Sequence, residues 1–122
     1  MAAARVLLVE DELFIRLVTA EVLRAEGFVE ARHGDEARAL LDDPAGFDVL
    51  FTDVRMPGTL DGIDVALHAR RRHPFIPVLV ASGYAAHRLK RLGSLDPAAV
   101  FMSKPYSLVE VLAVLRRFTE SV

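Results

Sequence analysis

Acidic, hydroxyl and ammonium groups recur in this chain immediately after short apolar runs. "VLLVEDE" places Glu10 and Asp11 after the first run, and "VLFTDVRMPG" places Asp53 after another. "VLVASGY" ends in Ser82, and "VFMSKPYS" presents Lys104. One acid in such a place has a bland explanation, because acids favour a helix N-terminus and open turns; Glu10, Asp11 and Glu12 would cap a helix, and Asp53 would be a turn residue before Pro57. Acids after two separate runs are harder to dismiss. If those runs are neighbouring strands, ~4.8 Å apart, Glu10, Asp11 and Asp53 converge. At an effective dielectric near 20 and ~5 Å separation, each pair repels by roughly 3 kcal/mol, so the cluster must hold a proton or a cation. Oxygen ligands without His or Cys suit Mg²⁺, which keeps several waters and favours a phosphate partner. Ser82 alone is an ordinary strand-end serine, and Lys104 alone a solvated lysine. Beside the acids they are the donor and cation that a phosphoryl group of about −2 charge requires. Together these residues read as a phosphorylation site.

Such a site needs strands that end side by side. Residues 6–9, 28–31, 49–52, 76–81 and 99–102 read as strands, and 12–26, 35–42, 62–72, 85–92 and 107–119 as helices. Turns are expected at Gly27, Gly34, Asp43-Pro44, Gly58, Pro74, Gly83 and Gly93. Apolar runs without polar alternation suit parallel strands covered on both faces. Five strand–helix units imply one doubly wound α/β domain over residues 1–122, with no linker. Ligands of such sheets bind beyond the carboxyl ends of the strands, where strand order reverses. In the first helix Phe14, Ile15, Val18, Val22 and Ala25 share an arc of about 100°; Leu108, Val111, Leu112, Leu115 and Phe118 do the same in the last. In 85–92 only Leu89 and Leu92 are large and apolar.

Composition removes other classes. Hydrophobic residues make up 52% of the 122, and 15 basic against 17 acidic residues leave a net charge of −2, so no general field attracts nucleic acid or an anionic membrane. There is no cysteine, hence no disulfide or thiolate metal site. "MAAARVLLVE" is too short in its apolar part for a signal peptide, and no run approaches a membrane span; a soluble, cytoplasmic protein is expected. Arg70-Arg71-Arg72-His73 complements a helix dipole at its C-terminus rather than marking a nucleic-acid surface. His33, His68, His73 and His87 lack metal-ligand spacing and are expected at the surface.

The sequence resembles the receiver domain of two-component response regulators over essentially its whole length. "VLLVEDE", "TDVRMPG" followed by Asp61-Gly62, Ser82, and Lys104-Pro105 stand in the family's order and spacing. The resemblance implies a flavodoxin-like, five-stranded parallel sheet of order 2-1-3-4-5 with five helices. It implies that Asp53 accepts a phosphoryl group from a histidine kinase or histidine phosphotransfer protein, with Mg²⁺ held by Glu10, Asp11, Asp53 and the backbone carbonyl of Arg55. Ser82 would bond the phosphoryl oxygen, Lys104 would pair with it, and Phe101 would change rotamer on activation. The Lys104–Pro105 bond would be cis, and Leu13 and Leu17 would border the kinase docking surface. Such a domain is a phosphoacceptor with at most slow self-dephosphorylation, not a turnover enzyme.

Some positions depart from the family's usual pattern. Glu10 replaces an aspartate, Ser82 stands where threonine is frequent, and the loop Gly58-Thr59-Leu60-Asp61-Gly62 is one residue longer. Arg55 and Tyr84 occupy positions that tune phosphoryl lifetime. A flavodoxin would need a Ser/Thr/Gly-rich phosphate loop after the first strand, and a haloacid-dehalogenase-type hydrolase a D-x-D there; both are absent. A receiver excised from a hybrid kinase and a non-phosphorylated pseudo-receiver remain as alternatives. Without an output domain, the chain is expected to signal by protein contact or to relay phosphate to an unnamed protein target. Weak homodimerisation is compatible with this reading, and no nucleic-acid or membrane partner is expected.

Residues 85–92 are expected to be the least stable helix and to report phosphorylation. Leu89, Leu92 and Leu95 are each worth roughly 1.5–3 kcal/mol if fully buried, while ordering the backbone costs ~1–2 kcal/mol per residue. A helix of about eight residues does not persist on propensity alone. Amides of 85–92 should exchange faster than those of 107–119 and change on adding beryllofluoride with Mg²⁺. Equal protection, unaltered by that phosphoryl mimic, would show that the signal leaves by another route.

Overall fold

The computed structural model describes residues 5–10, 28–31, 33–44, 46–54, 60–82, 93, 95, 97–103 and 107–120. They form strands β1 (Val6–Val9), β2 (Phe28–Ala31), β3 (Val49–Asp53), β4 (Val78–Ser82) and β5 (Val100–Ser103), and helices α1 (Gly34–Leu41), α2 (Gly62–Arg72) and α3 (Leu108–Glu120). All neighbouring strands run parallel in the order β2-β1-β3-β4-β5, the order the resemblance implies. The helices expected over 12–26 and 85–92, with Leu13 and Leu17, lie outside the described residues.

Burial follows the alternation of the strands. Leu7, Val9, Leu50, Val54, Val78 and Val80 pack with Ala37 and Leu41 of α1 and Ile63, Val65, Ala66 and Ala69 of α2. Their sequence neighbours Val6, Leu8, Val49, Phe51, Leu79 and Ala81 pack on the other face with Met102 and with Val111, Val114 and Leu115 of α3. Every residue of β1, β3 and β4 is therefore buried, as parallel strands covered on both faces require. β5, at one edge, alternates instead, with Met102 inward and Phe101 and Ser103 outward.

Several boundaries differ from the sequence reading, each for a local reason. β3 runs one residue further, because the backbone of Asp53 still pairs with Ala81. β4 begins at Val78 and not at Ile76: Pro77 has no N–H to donate, although its carbonyl accepts from the Leu50 amide at 3.0 Å. β4 and β5 both extend through a serine, since Ser82 and Ser103 pair with each other. Gly34 is not a turn but the first residue of α1; a Cβ there would lie 2.6 Å from Leu60, so the glycine serves close approach. Among the described residues, the one in the left-handed region is Gly46, at φ 67°.

The helix ends are chemically specified. In α2, Asp61 and Asp64 form a reciprocal capping box, with the Asp64 amide donating to Asp61 Oδ1 at 2.9 Å and the Asp61 amide to Asp64 Oδ2 at 3.0 Å. Ser107 Oγ accepts from the Val109 and Glu110 amides at the start of α3. The three described histidines, expected at the surface, are half-buried and each has a local role. His33 is the N-cap of α1, its Nδ1 accepting from the Glu36 amide at 3.2 Å. His68 is 12% exposed in its side chain and meets Asp42, and the His73 ring packs over Gly46 with Nε2 buried. His87 lies outside the described residues. Arg71 and Arg72 are exposed at the end of α2, but Arg70 is buried, donating from Nε to the Ile76 carbonyl at 2.7 Å.

Asp42 joins α1 to α2, its Oδ1 lying 2.9 Å from His68 Nε2 and 3.2 Å from Arg72 Nε. The hydrogen bond with His68 is the main cause holding its carboxyl below the ordinary 3.8; partial desolvation opposes this, and the charges of His68, Arg72 and Arg38 add to it. A carboxyl depressed in the folded state binds fewer protons there than in the unfolded chain. Its stabilisation is full above the unfolded value and disappears as pH falls through the folded one. Asp42→Asn should therefore be slightly less stable than wild type in urea at about pH 6, a small effect for a surface pair, with the gap closing by about pH 2. A gap of constant size over that range would contradict the assignment.

Candidate functional site

The candidate site forms at the carboxyl ends of β1, β3 and β4. β1 and β3 pair in register up to Val9 with Thr52, and each strand then presents an acid, Glu10 and Asp53. The same alternation puts Glu10 with Val6 and Leu8, and Asp53 with Val49 and Phe51. Both acids thus belong to the sheet face that α3 covers. Their exposures are 2% and 6%, so both acids lie largely out of water. The Glu10 amide donates to the Ala31 carbonyl at 3.1 Å, holding the chain beside β2 as it leaves the sheet. Ser82, also 6% exposed, stands one position beyond Ala81, the pairing partner of Asp53.

The backbone around Asp53 is held from three directions. Thr52, 0% exposed, donates from its hydroxyl to the Asp53 carbonyl at 2.9 Å. The Val54 amide donates to the Ala81 carbonyl at 3.1 Å, and the Val54 carbonyl accepts from the Gly62 amide at 2.7 Å. Gly62 allows this closeness: a Cβ on it would collide with the Asp53 carbonyl oxygen, 2.7 Å from the carbonyl carbon and 2.9 Å from the Val54 Cα.

Of the residues singled out in the sequence, Glu10 and Asp53 share one sheet face at neighbouring strand ends, while Ser82 ends the adjacent β4 and by alternation falls with Val78 and Val80. Phe101 is on β5, opposite Val80 and 47% exposed, so it occupies an outward position. Asp11, Arg55 and Lys104, with the Lys104–Pro105 bond and Tyr84, lie outside the described residues. Among the described residues no group of three His, Cys, Asp or Glu side chains gathers as a metal site; the two carboxylates there are hard oxygen donors, chemically suited to a divalent cation such as Mg²⁺. Thr52 and Gly62 were missed as site residues, although a hydroxyl inside "VLFTD" and a glycine directly after the capping Asp61 were signals in the sequence.

The profile of the response regulator receiver domain family matches residues 6–116. The chain belongs to this family. Its relatives include the sensor kinase CckA of Brucella abortus, 33% identical over 121 residues that make up 97% of this chain and 13% of the kinase. The transcriptional regulatory protein TcrA of Mycobacterium tuberculosis is 32% identical over 95% of this chain and 46% of its own length. This receiver domain thus spans less than half of either relative. Among solved structures, a response regulator receiver protein from Sinorhizobium medicae superposes with a TM-score of 0.85 at 27% identity, covering 95% of this chain and 94% of that one. The flavodoxin-like fold is that of a receiver. Receiver domains are signalling modules of two-component systems that interact with histidine kinases and serve as phosphoacceptors; they are not turnover enzymes.

Proposed function

We propose that this receiver domain, as one unit over residues 1–122, takes a phosphoryl group onto Asp53 from a histidine kinase or histidine phosphotransfer protein. The observation that carries this reading is the burial of Glu10 and Asp53 on one sheet face at neighbouring strand ends. A carboxylate oxygen of Asp53 attacks phosphorus in line; the new P–O bond forms as the P–N bond to the donor histidine breaks, and the leaving imidazole takes up a proton. Glu10, Asp11, Asp53 and the Arg55 carbonyl are the ligands proposed for Mg²⁺, which when bound offsets charge on the transferring oxygens. Ser82 donates to a phosphoryl oxygen, Lys104 pairs with it, and the outward Phe101 is the aromatic that changes rotamer.

Downstream, the phosphorylated form signals by protein contact or passes the group onward, from the cytoplasm, with weak homodimerisation compatible with either. Among the described residues no helix is long and apolar enough to cross a membrane. The similarity to part of a sensor kinase favours one second reading, a receiver that works as a module of a hybrid kinase. Both readings place the phosphoryl group on Asp53, whereas a pseudo-receiver would take none.

Incubation with labelled acetyl phosphate and Mg²⁺ should give a base-labile acyl phosphate, and Asp53→Asn should take up no label from acetyl phosphate or kinase. Persistent label on that variant, or full labelling in a chelator, would sink the mechanism.

A further inference from the structure

We infer that Thr52 and Gly62 are positioning residues for the phosphoacceptor, acting through the peptide that joins Asp53 to Val54. The inference rests on the reading of Asp53 as the acceptor. An in-line displacement needs the attacking oxygen at a defined distance and angle, and a misplacement of about 1 Å can cost on the order of 10²-fold in rate. The Asp53 side chain hangs on a backbone whose freedom is removed by three hydrogen bonds: Thr52 hydroxyl to Asp53 carbonyl, Val54 amide to Ala81 carbonyl, and Gly62 amide to Val54 carbonyl. The second belongs to the sheet and would be found at any strand end. The other two are made from outside the sheet ladder and lie on the face opposite the carboxylates.

Thr52 shares the face of Leu50 and Val54 that α1 and α2 cover. A fully buried hydroxyl in an apolar strand carries a cost unless it is bonded, and the Thr52 hydroxyl donates to the residue that bears the nucleophile. Valine would fill the same space, and fill it with a methyl, so packing alone does not account for threonine. Gly62 works from the helix side. The capping box of Asp61 and Asp64 fixes where α2 begins, and the missing Cβ lets that first turn rest directly on the Asp53 carbonyl. Any side chain at 62 must push either α2 away or the acceptor peptide forward. Helix and hydroxyl therefore meet the same peptide from behind, leaving the carboxylate to face the opposite side.

The test compares phosphorylation of the purified chain by acetyl phosphate across donor concentrations in wild type, Thr52→Val, Thr52→Ser, Gly62→Ala and Asp53→Asn, with urea stability measured for each. Thr52→Val should lower the saturating rate about tenfold while the donor KM stays within twofold. Thr52→Ser keeps the hydroxyl but loses a buried methyl; it should be less stable than wild type yet keep its rate within twofold. Gly62→Ala should lose rate at least as severely as Thr52→Val, or fail to fold, in which case the threonine pair decides. A saturating rate that follows stability across the series, or a wild-type rate in Thr52→Val with Asp53→Asn silent, overturns the positioning role alone. Equal label in wild type and Asp53→Asn, or none in either, overturns the acceptor reading and this inference with it.

Discussion

Two carboxylates taken largely out of water at paired strand ends set the terms for this end of the molecule. Glu10 and Asp53 are 2% and 6% exposed, and charges so placed are tolerated only with compensation from cations or hydrogen-bond donors. Parallel register makes the arrangement inescapable: once Val9 pairs with Thr52, the next residue of each strand is an acid. The sheet must then be stiff enough to hold two like charges together. Complete burial of β1, β3 and β4, with helices on both faces, provides that stiffness.

The two faces divide the labour. One carries the acids and is covered by α3; the other carries Thr52, the start of α2 and the larger apolar cluster. Carboxylate chemistry and backbone support are thereby separated by the thickness of a single strand. β5 stands apart, because only Met102 of its four residues is buried. A side chain such as Phe101 can change conformation there without opening the core.

Much of this was legible in the sequence because it is periodic. β1, β2 and α2 have the bounds read from apolar runs and helical spacing, and the facing of Glu10 and Asp53 follows once the strands are parallel neighbours. What escaped is tertiary. Gly34 looked like a turn because nothing in the neighbouring residues announces Leu60 against it. Arg70 looked like the first of three surface charges, since the carbonyl that holds it belongs to Ile76, beyond the helix end. The partners of His68 and His73, Asp42 and Gly46, are likewise set by folding and not by ligand spacing. Asp11, Arg55 and Lys104 lie outside the described residues.

The fixation of α2 at both ends constrains how this chain can change over generations. Its first residue sits on the strand that bears Asp53, and Arg70, near its last turn, is tied to the chain entering β4. One inserted or deleted residue would turn everything beyond it by about 100° and move it by about 1.5 Å. Either the glycine would leave its seat on β3 or the arginine would lose the Ile76 carbonyl. The length of this helix is therefore far less free to drift than its exposed side chains, and variation of this domain by insertion must fall in its loops.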